Sequence, residues 1–185
     1  MSADLLTTDR LLLRRWLPSD REPFAELNAD PRVMEHFPHL LTREQSDAMI
    51  DRLEGIFEAE GFGIWAVEVR ATGEFIGFIG LAPVGFDEHF TPALEIGWRL
   101  AHGGWGHGYA TEGARAALDH AFRVVGREEV VSMTATTNLR SQAVMRRLGM
   151  TCDRADDFDH PRVDDDRLRR HVLFRITAAQ WGERV

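Results

Sequence analysis

The chain has 185 residues, 44% of them hydrophobic, which is enough for one sizeable core and calls for no second domain, so residues 1–185 are taken as one unit. A formal charge of -8 argues against a broad nucleic-acid footprint, because neutralising phosphates takes clustered Lys and Arg, and no apolar run approaches the roughly 20 residues of a membrane span. The opening MSADLLTTDR lacks the basic and apolar segments of a secretory signal, and the single cysteine, Cys152, has no disulfide partner; both fit a cytoplasmic protein with that cysteine in its core.

Alternation in RLLLRRW, Arg10 to Trp16, predicts a first strand, and the S-D-R-E of Ser19 to Glu22 reads as a capping box opening a helix. A second capping box at Thr42 to Gln45 precedes Met49, Ile50, Leu53, Ile56 and Phe57, one apolar helical stripe that belongs in a core. Between them EHFPHLL is too broken by proline to continue either helix. GIWAVEVR and FIGFIGLAPV flank a turn near Thr72 and Gly73 and predict a hairpin, followed by a strand over Ala93 to Leu100. The glycine-rich HGGWGHG, His102 to Gly108, runs directly into a helix with Ala110, Ala114, Ala117, Leu118, Ala121 and Phe122 on its apolar face. EVVSMTAT is a further strand, NLRSQAVMRRLGM a short helix closed by Gly149, and RLRRHVLFRI a late strand. Seven aspartates crowd the loop from Asp153 to Arg167, read as a solvated stretch or as a steering surface for a cationic acceptor. The order is mixed α/β (α+β): a mixed central sheet flanked by helices.

A glycine loop at a helix start presents main-chain N–H groups to an anion. A nucleotide P-loop needs Lys and then Ser or Thr after its last glycine, but Tyr109 and Ala110 follow Gly108. A dinucleotide fingerprint fails too: its third glycine falls on Tyr109 or on Thr111. What remains is Gly103-x-x-Gly106-x-Gly108, which suits a pyrophosphate, or else a tight strand-to-helix turn with no ligand.

The segments EIGW, WGHGYATE and NLRSQAVMRRLGM, in that order, resemble the core of the GNAT N-acetyltransferases and, within them, the ribosomal-protein-alanine N-acetyltransferase branch. TTDRLLLRRW, FIGFIGL and LRRHVLFRI extend the likeness nearly end to end. The resemblance implies a GNAT fold, transfer of an acetyl group from acetyl-CoA as cosubstrate to a primary amine in a ternary complex, and no metal. It assigns the CoA pyrophosphate to the loop of Gly103, Gly104, Trp105, Gly106, His107 and Gly108 and to the helix start at Tyr109, Ala110 and Thr111, chiefly through the amides from Trp105 to Ala110. It assigns the pantetheine arm to main-chain groups of Trp98, Arg99 and Leu100, and the thiol end to Asn138 and Ser141; Asn138 also reads as a helix cap. The acceptor is a small-molecule amine or a protein N-terminus, with no nucleic acid or membrane involved, and relatives often form homodimers through strands near the C-terminus.

Two departures stand out. Relatives often carry Gln or Arg at Gly103, and many have a tyrosine general acid at Met145, which cannot donate a proton. The resemblance makes Glu95 the base, acting through a water, and Ser141 the acid; Glu95 also reads as a structural carboxylate bonded to nearby main chain. An alternative keeps the fold and loses the reaction: a catalytically silent acyl-CoA-binding or regulatory domain. His39 and His160 fall in loops that border the acceptor pocket in relatives, or are plain surface histidines, and Trp65 and Trp98 read as core aromatics.

Overall fold

In the computed structural model, which describes residues 5–183, one nine-stranded sheet organises the chain. Strands β1 (Leu5–Thr7), β2 (Leu11–Arg14), β3 (Ile64–Val69), β4 (Glu74–Pro83) and β5 (Leu94–Leu100) pair antiparallel in sequence order. Next comes β6 (Glu129–Ala135), parallel to β5, and then β9 (Arg170–Thr177), antiparallel to β6. The short strands β7 (Thr151–Cys152) and β8 (Phe158–Asp159) share the far edge of β9. The sheet is mixed, as the sequence implies.

Helices α1 (Arg21–Ala29) and α2 (Arg43–Glu60) cover one face. Ile50 and Leu53 of the α2 stripe pack with Trp16, Phe24, Ala66 and Phe78, while Phe57 reaches Trp65 in the larger cluster. That larger cluster lies under α3 (Tyr109–Arg123) and α4 (Leu139–Leu148), with Leu94, Ile96 and Leu100 of β5 meeting Ala114, Ala117, Leu118 and Ala121. The approach of α3 to the sheet is close: a Cβ on Gly113 would stand 2.4 Å from Ile79 Cδ1. Two short helices, α5 (Asp166–Arg169) and α6 (Ala178–Gly182), bracket β9.

The Thr42 box forms as expected, its side chain accepting the Gln45 N–H, and Gly149 closes α4 at φ 81°. Three expectations need correction. The S-D-R-E box does not form: a 3-10 turn over Pro18–Asp20 precedes α1, and Asp20 turns inward to accept the Leu17 N–H at 2.8 Å and a fork from Arg14 at 2.7 and 3.0 Å. The ion pair outcompetes capping because it neutralises a buried carboxylate. Arg167 to Arg169 are helical, since Asp165 caps α5 through the Arg167 N–H, and the strand begins only at Arg170. Cys152 is exposed, because β7 is a marginal strand and both its residues face solvent.

The start of α3 is pinned from across the sheet. Glu112 accepts hydrogen bonds from the Thr8 hydroxyl at 2.6 Å, the Arg10 N–H at 3.0 Å and the Arg10 Nε at 2.7 Å. Burial raises its pKa, but these bonds outweigh that and the net shift is downward from 4.5. Its stabilisation is therefore complete above the ordinary glutamate value and is lost as the pH falls through the folded value. Chemical denaturation of Glu112→Gln is expected to show a loss of about 1–2 kcal/mol at pH 7 that shrinks toward pH 3.

Candidate active site

The site begins where the sheet stops being continuous. Strands β5 and β6 share one residue pair, Glu95 with Val131. One step on, the Ser132 hydroxyl takes over, donating to the Ile96 carbonyl at 2.9 Å. Beyond that the strands part, because β5 stays paired to β4 as far as Leu100–Gly77 and β6 stays paired to β9 over its whole length. In the β4–β5 register, the Ala101 N–H reaches the Ile76 carbonyl at 2.8 Å, so alternate residues Arg99 and Gly97 also direct their main-chain groups toward β4. Those of Ile96, Trp98 and Leu100 face the gap.

This divides the three residues assigned to a pantetheine arm. Trp98 presents both main-chain groups to the gap and Leu100 its N–H, whereas the Leu100 carbonyl is taken by the Trp105 indole at 2.9 Å. The main chain of Arg99 belongs to β4, and only its side chain lines the cleft.

Below the gap, the glycine loop turns the chain into α3. His102–Gly104 form a 3-10 turn, and Gly106 and Gly108 take positive φ of 80° and 81°, the left-handed conformation that side chains disfavour. Gly108 is the N-cap of α3, so the N–H groups of Tyr109, Ala110 and Thr111 have no carbonyl one turn earlier, and their dipoles point out of the helix end. Arg10 flanks them, its guanidinium 4.9 Å from the Tyr109 ring. An anion placed here meets main-chain donors and a helix N-terminus, while the charge of Arg10 is shared with Glu112 through a 2.6 Å ion pair. Gly103 is exposed beside the turn, and Gly104 is buried against Ile76 and Leu100.

Across the gap, Asn138 caps α4 by accepting the Ser141 N–H at 3.1 Å, and its amide nitrogen donates to the Thr134 hydroxyl at 3.0 Å. Its side chain is thus committed to orienting α4. Ser141 lines the cleft, and its hydroxyl makes no hydrogen bond among the described residues. Met145 is buried in the main core, with Val144 on the cleft wall instead.

The gap, the glycine loop and the α1–α2 side join into one cleft of about 1620 Å³. Glu95 stands inside it, half-buried and without a hydrogen bond or ion pair for its carboxylate among the described residues, so the reading of a carboxylate tied to main chain fails. Burial alone pushes its pKa up to about 7. Trp98 also lines the cleft, whereas Trp65 is fully buried, as expected of a core aromatic. His160 is half-buried, 4.8 Å from the His171 and Phe86 rings; desolvation first, then the neighbouring His171, lowers its pKa to about 4. His39 is exposed and off the cleft, and His36 occupies the wall in its stead. No group of three or more His, Cys, Asp or Glu among the described residues is arranged to hold a metal, and no described helix is long and apolar enough to cross a membrane.

Sequence reasoning missed the side chain of Arg99 and its supporting Asn28, and also Ser132. Nothing in the local pattern marks them, because each acquires its role from a partner 18 to 71 residues away.

A parted parallel pair above an amide-lined helix start is the architecture of the GNAT acetyltransferases, whose domain description matches residues 10–151, and the chain belongs to that family. The chain is 33% identical to the FsC-acetyl coenzyme A-N(2)-transacetylase of Aspergillus fumigatus, the match covering 95% of this chain and 77% of that protein. It is 32% identical to the protein YkkB of Bacillus subtilis over 78% of this chain and 84% of the other. Its fold matches that of RimL, a ribosomal alpha-N-protein acetyltransferase solved in complex with coenzyme A, at a TM-score of 0.76 and 15% identity, over 95% of this chain and 99% of that one. The family resemblance drawn from EIGW, WGHGYATE and NLRSQAVMRRLGM is confirmed, and acetyl transfer is the chemistry of the family.

A carboxyl whose folded pKa lies above its unfolded value stabilises the fold fully below the unfolded value and loses that contribution as the pH rises through the folded one. Glu95→Gln removes the cost of ionising the buried group. Denaturation at pH 5 and pH 8.5 is expected to show the variant gaining on the native protein by on the order of 2 kcal/mol between the two. An equal difference at both values contradicts the raised pKa.

Proposed function

We propose that the protein is a single-domain enzyme, residues 1–185, that transfers an acetyl group from acetyl-CoA to a primary amine by direct attack in a ternary complex. The observation that carries this reading is the parting of β5 from β6 directly above the helix start at Tyr109. A pantetheine arm is flat, extended and amide-bearing, so it can lie in the gap as an extra strand against Trp98 and Leu100 while its pyrophosphate sits on the amides from Trp105 to Ala110. The acetyl thioester then falls between Glu95 and Ser141.

In this mechanism Glu95 accepts a proton from the incoming amine, directly or through one water, and a pKa near 7 suits that task at neutral pH. The amine nitrogen bonds to the thioester carbon, and the tetrahedral oxyanion is held by a main-chain N–H facing the gap. Collapse forms the amide and breaks the carbon–sulfur bond. The departing thiolate takes a proton from the Ser141 hydroxyl, which regains one from solvent; a thiol pKa of about 8.5 makes this a modest demand. Buried Met145 contributes no proton.

Calorimetry with coenzyme A and acetyl-CoA, followed by thiol release across a panel of amines, tests the reading. Binding plus thiol release is expected; binding without release from any amine favours the silent acyl-CoA-binding domain. Ser141→Ala is expected to lower kcat roughly 10-fold and Glu95→Gln roughly 100-fold, both with unchanged affinity for coenzyme A. In the native enzyme kcat/KM should climb with pH through about 7, and Glu95→Gln should flatten that limb. A native profile in the variant removes Glu95 from the reaction.

A further inference from the structure

Arg99 carries a positive charge into the acceptor side of the cleft with no carboxylate to answer it. Strand alternation sets its side chain on the same face of β5 as Glu95 and Gly97, opposite the core-facing Leu94, Ile96 and Leu100. The guanidinium lies 4.0 Å from the Phe37 ring centroid and 5.4 Å from that of Phe78. One nitrogen, Nη1, donates to Asn28 Oδ1 at 2.6 Å, and Asn28, itself fully buried, is fixed by a 2.9 Å bond to the Ser46 hydroxyl. Nε is buried without a partner, and Nη2 makes no hydrogen bond or ion pair among the described residues.

A guanidinium kept only for structure has its donors satisfied when it leaves water. The same sheet supplies the comparison: Arg14 is gripped by Asp20 at 2.7 Å and by Glu68 at 3.0 Å. Acids on the segment near Arg99 are engaged elsewhere, Asp30 with Arg32 at 2.6 Å and Glu35 with Arg140 at 3.4 Å. Arg99 is desolvated enough to lower its pKa to about 10, which still leaves it charged at neutral pH. Nε is closed off from solvent, whereas Nη2 is both unpartnered and open, so Nη2 is the nitrogen that can donate to an oxyanion in the cleft. Between Arg99 and Glu95, Gly97 leaves open space: no atom lies within 4 Å of where its Cβ would be.

We infer that the amine acceptor is itself acidic: it bears a carboxylate or comparable oxyanion that pairs with Nη2 of the Arg99 guanidinium, its body crosses Gly97, and its amine lies toward Glu95. This deepens the acetyl-transfer reading and rests on it. Four residues of strand separate the two groups by roughly 13 Å between α-carbons, so several bonds, rather than one carbon, separate amine from acid. The acceptor of this kind is an ω-amino acid or a larger molecule containing that pairing.

The test uses matched probes, 4-aminobutanoate and 6-aminohexanoate against their primary amides, titrated by calorimetry into native protein already saturated with coenzyme A and assayed for thiol release with acetyl-CoA. At least one acid is expected to bind about 10-fold more tightly than its amide and to be acetylated with a correspondingly higher kcat/KM. Arg99→Met, which keeps the packing on Phe37, is expected to erase that preference without changing coenzyme A affinity, and Arg99→Lys to restore part of it. If native protein binds coenzyme A but treats acid and amide alike, or binds neither, the acidic acceptor is overturned and acetyl transfer stands. The acidic acceptor is likewise overturned if Arg99→Met retains the preference. Native protein that does not bind coenzyme A overturns both.

Discussion

Parallel strands are normally held together along their length by slanted hydrogen bonds, and a central pair that abandons them after one residue pair leaves polar main chain facing empty space. That is the position of β5 and β6 beyond Glu95 and Val131. The break persists because each strand is secured on its other side, β5 by β4 and β6 by β9, and because the Ser132 hydroxyl satisfies the first orphaned carbonyl, that of Ile96. The remaining groups at Trp98 and Leu100 are what a ligand with strand-like amides would complete. The glycine loop is useful only in this setting, since it follows β5 directly and starts α3 at the foot of the opening.

Charge is distributed to match. The excess of acid in the sequence is largely answered where it is densest: Asp156 pairs with Arg175, Asp159 with Arg170, Asp165 with Arg167 and Asp166 with Arg169. A stretch that looks like a cation-steering surface in one dimension is thus mostly a set of local ion pairs. Inside the cleft the balance differs in kind, with an unpaired carboxylate, Glu95, and a guanidinium with an unpartnered buried nitrogen, Arg99, four residues apart on one face of the same strand. Burying such groups without partners opposes folding, and their retention in a cleft is the mark of a site that partners are brought to.

The elements legible in the sequence are those whose signal is local. The Thr42 box, the hairpin turn at Thr72 and Gly73, the Asn138 cap and the Gly149 stop each depend on residues three or four apart, and each forms. The S-D-R-E box at Ser19 is equally local but loses to Arg14, which comes from another element and requires Asp20 for an ion pair. Cys152 went to the surface because burial at a sheet margin depends on what covers the edge, and no pattern of apolar residues encodes that. In the site, the glycine loop and Glu95 are visible as a motif. The division of main-chain groups along β5 is not, because it follows from a register that only pairing with β4 decides.

Amide hydrogen exchange with and without coenzyme A tests the central claim most directly. The account predicts that coenzyme A slows exchange at Trp98 and Leu100 and through Gly106 to Thr111, while Arg99, already paired with β4, changes little. Protection confined to other parts of the chain, or none at saturating coenzyme A, would contradict it.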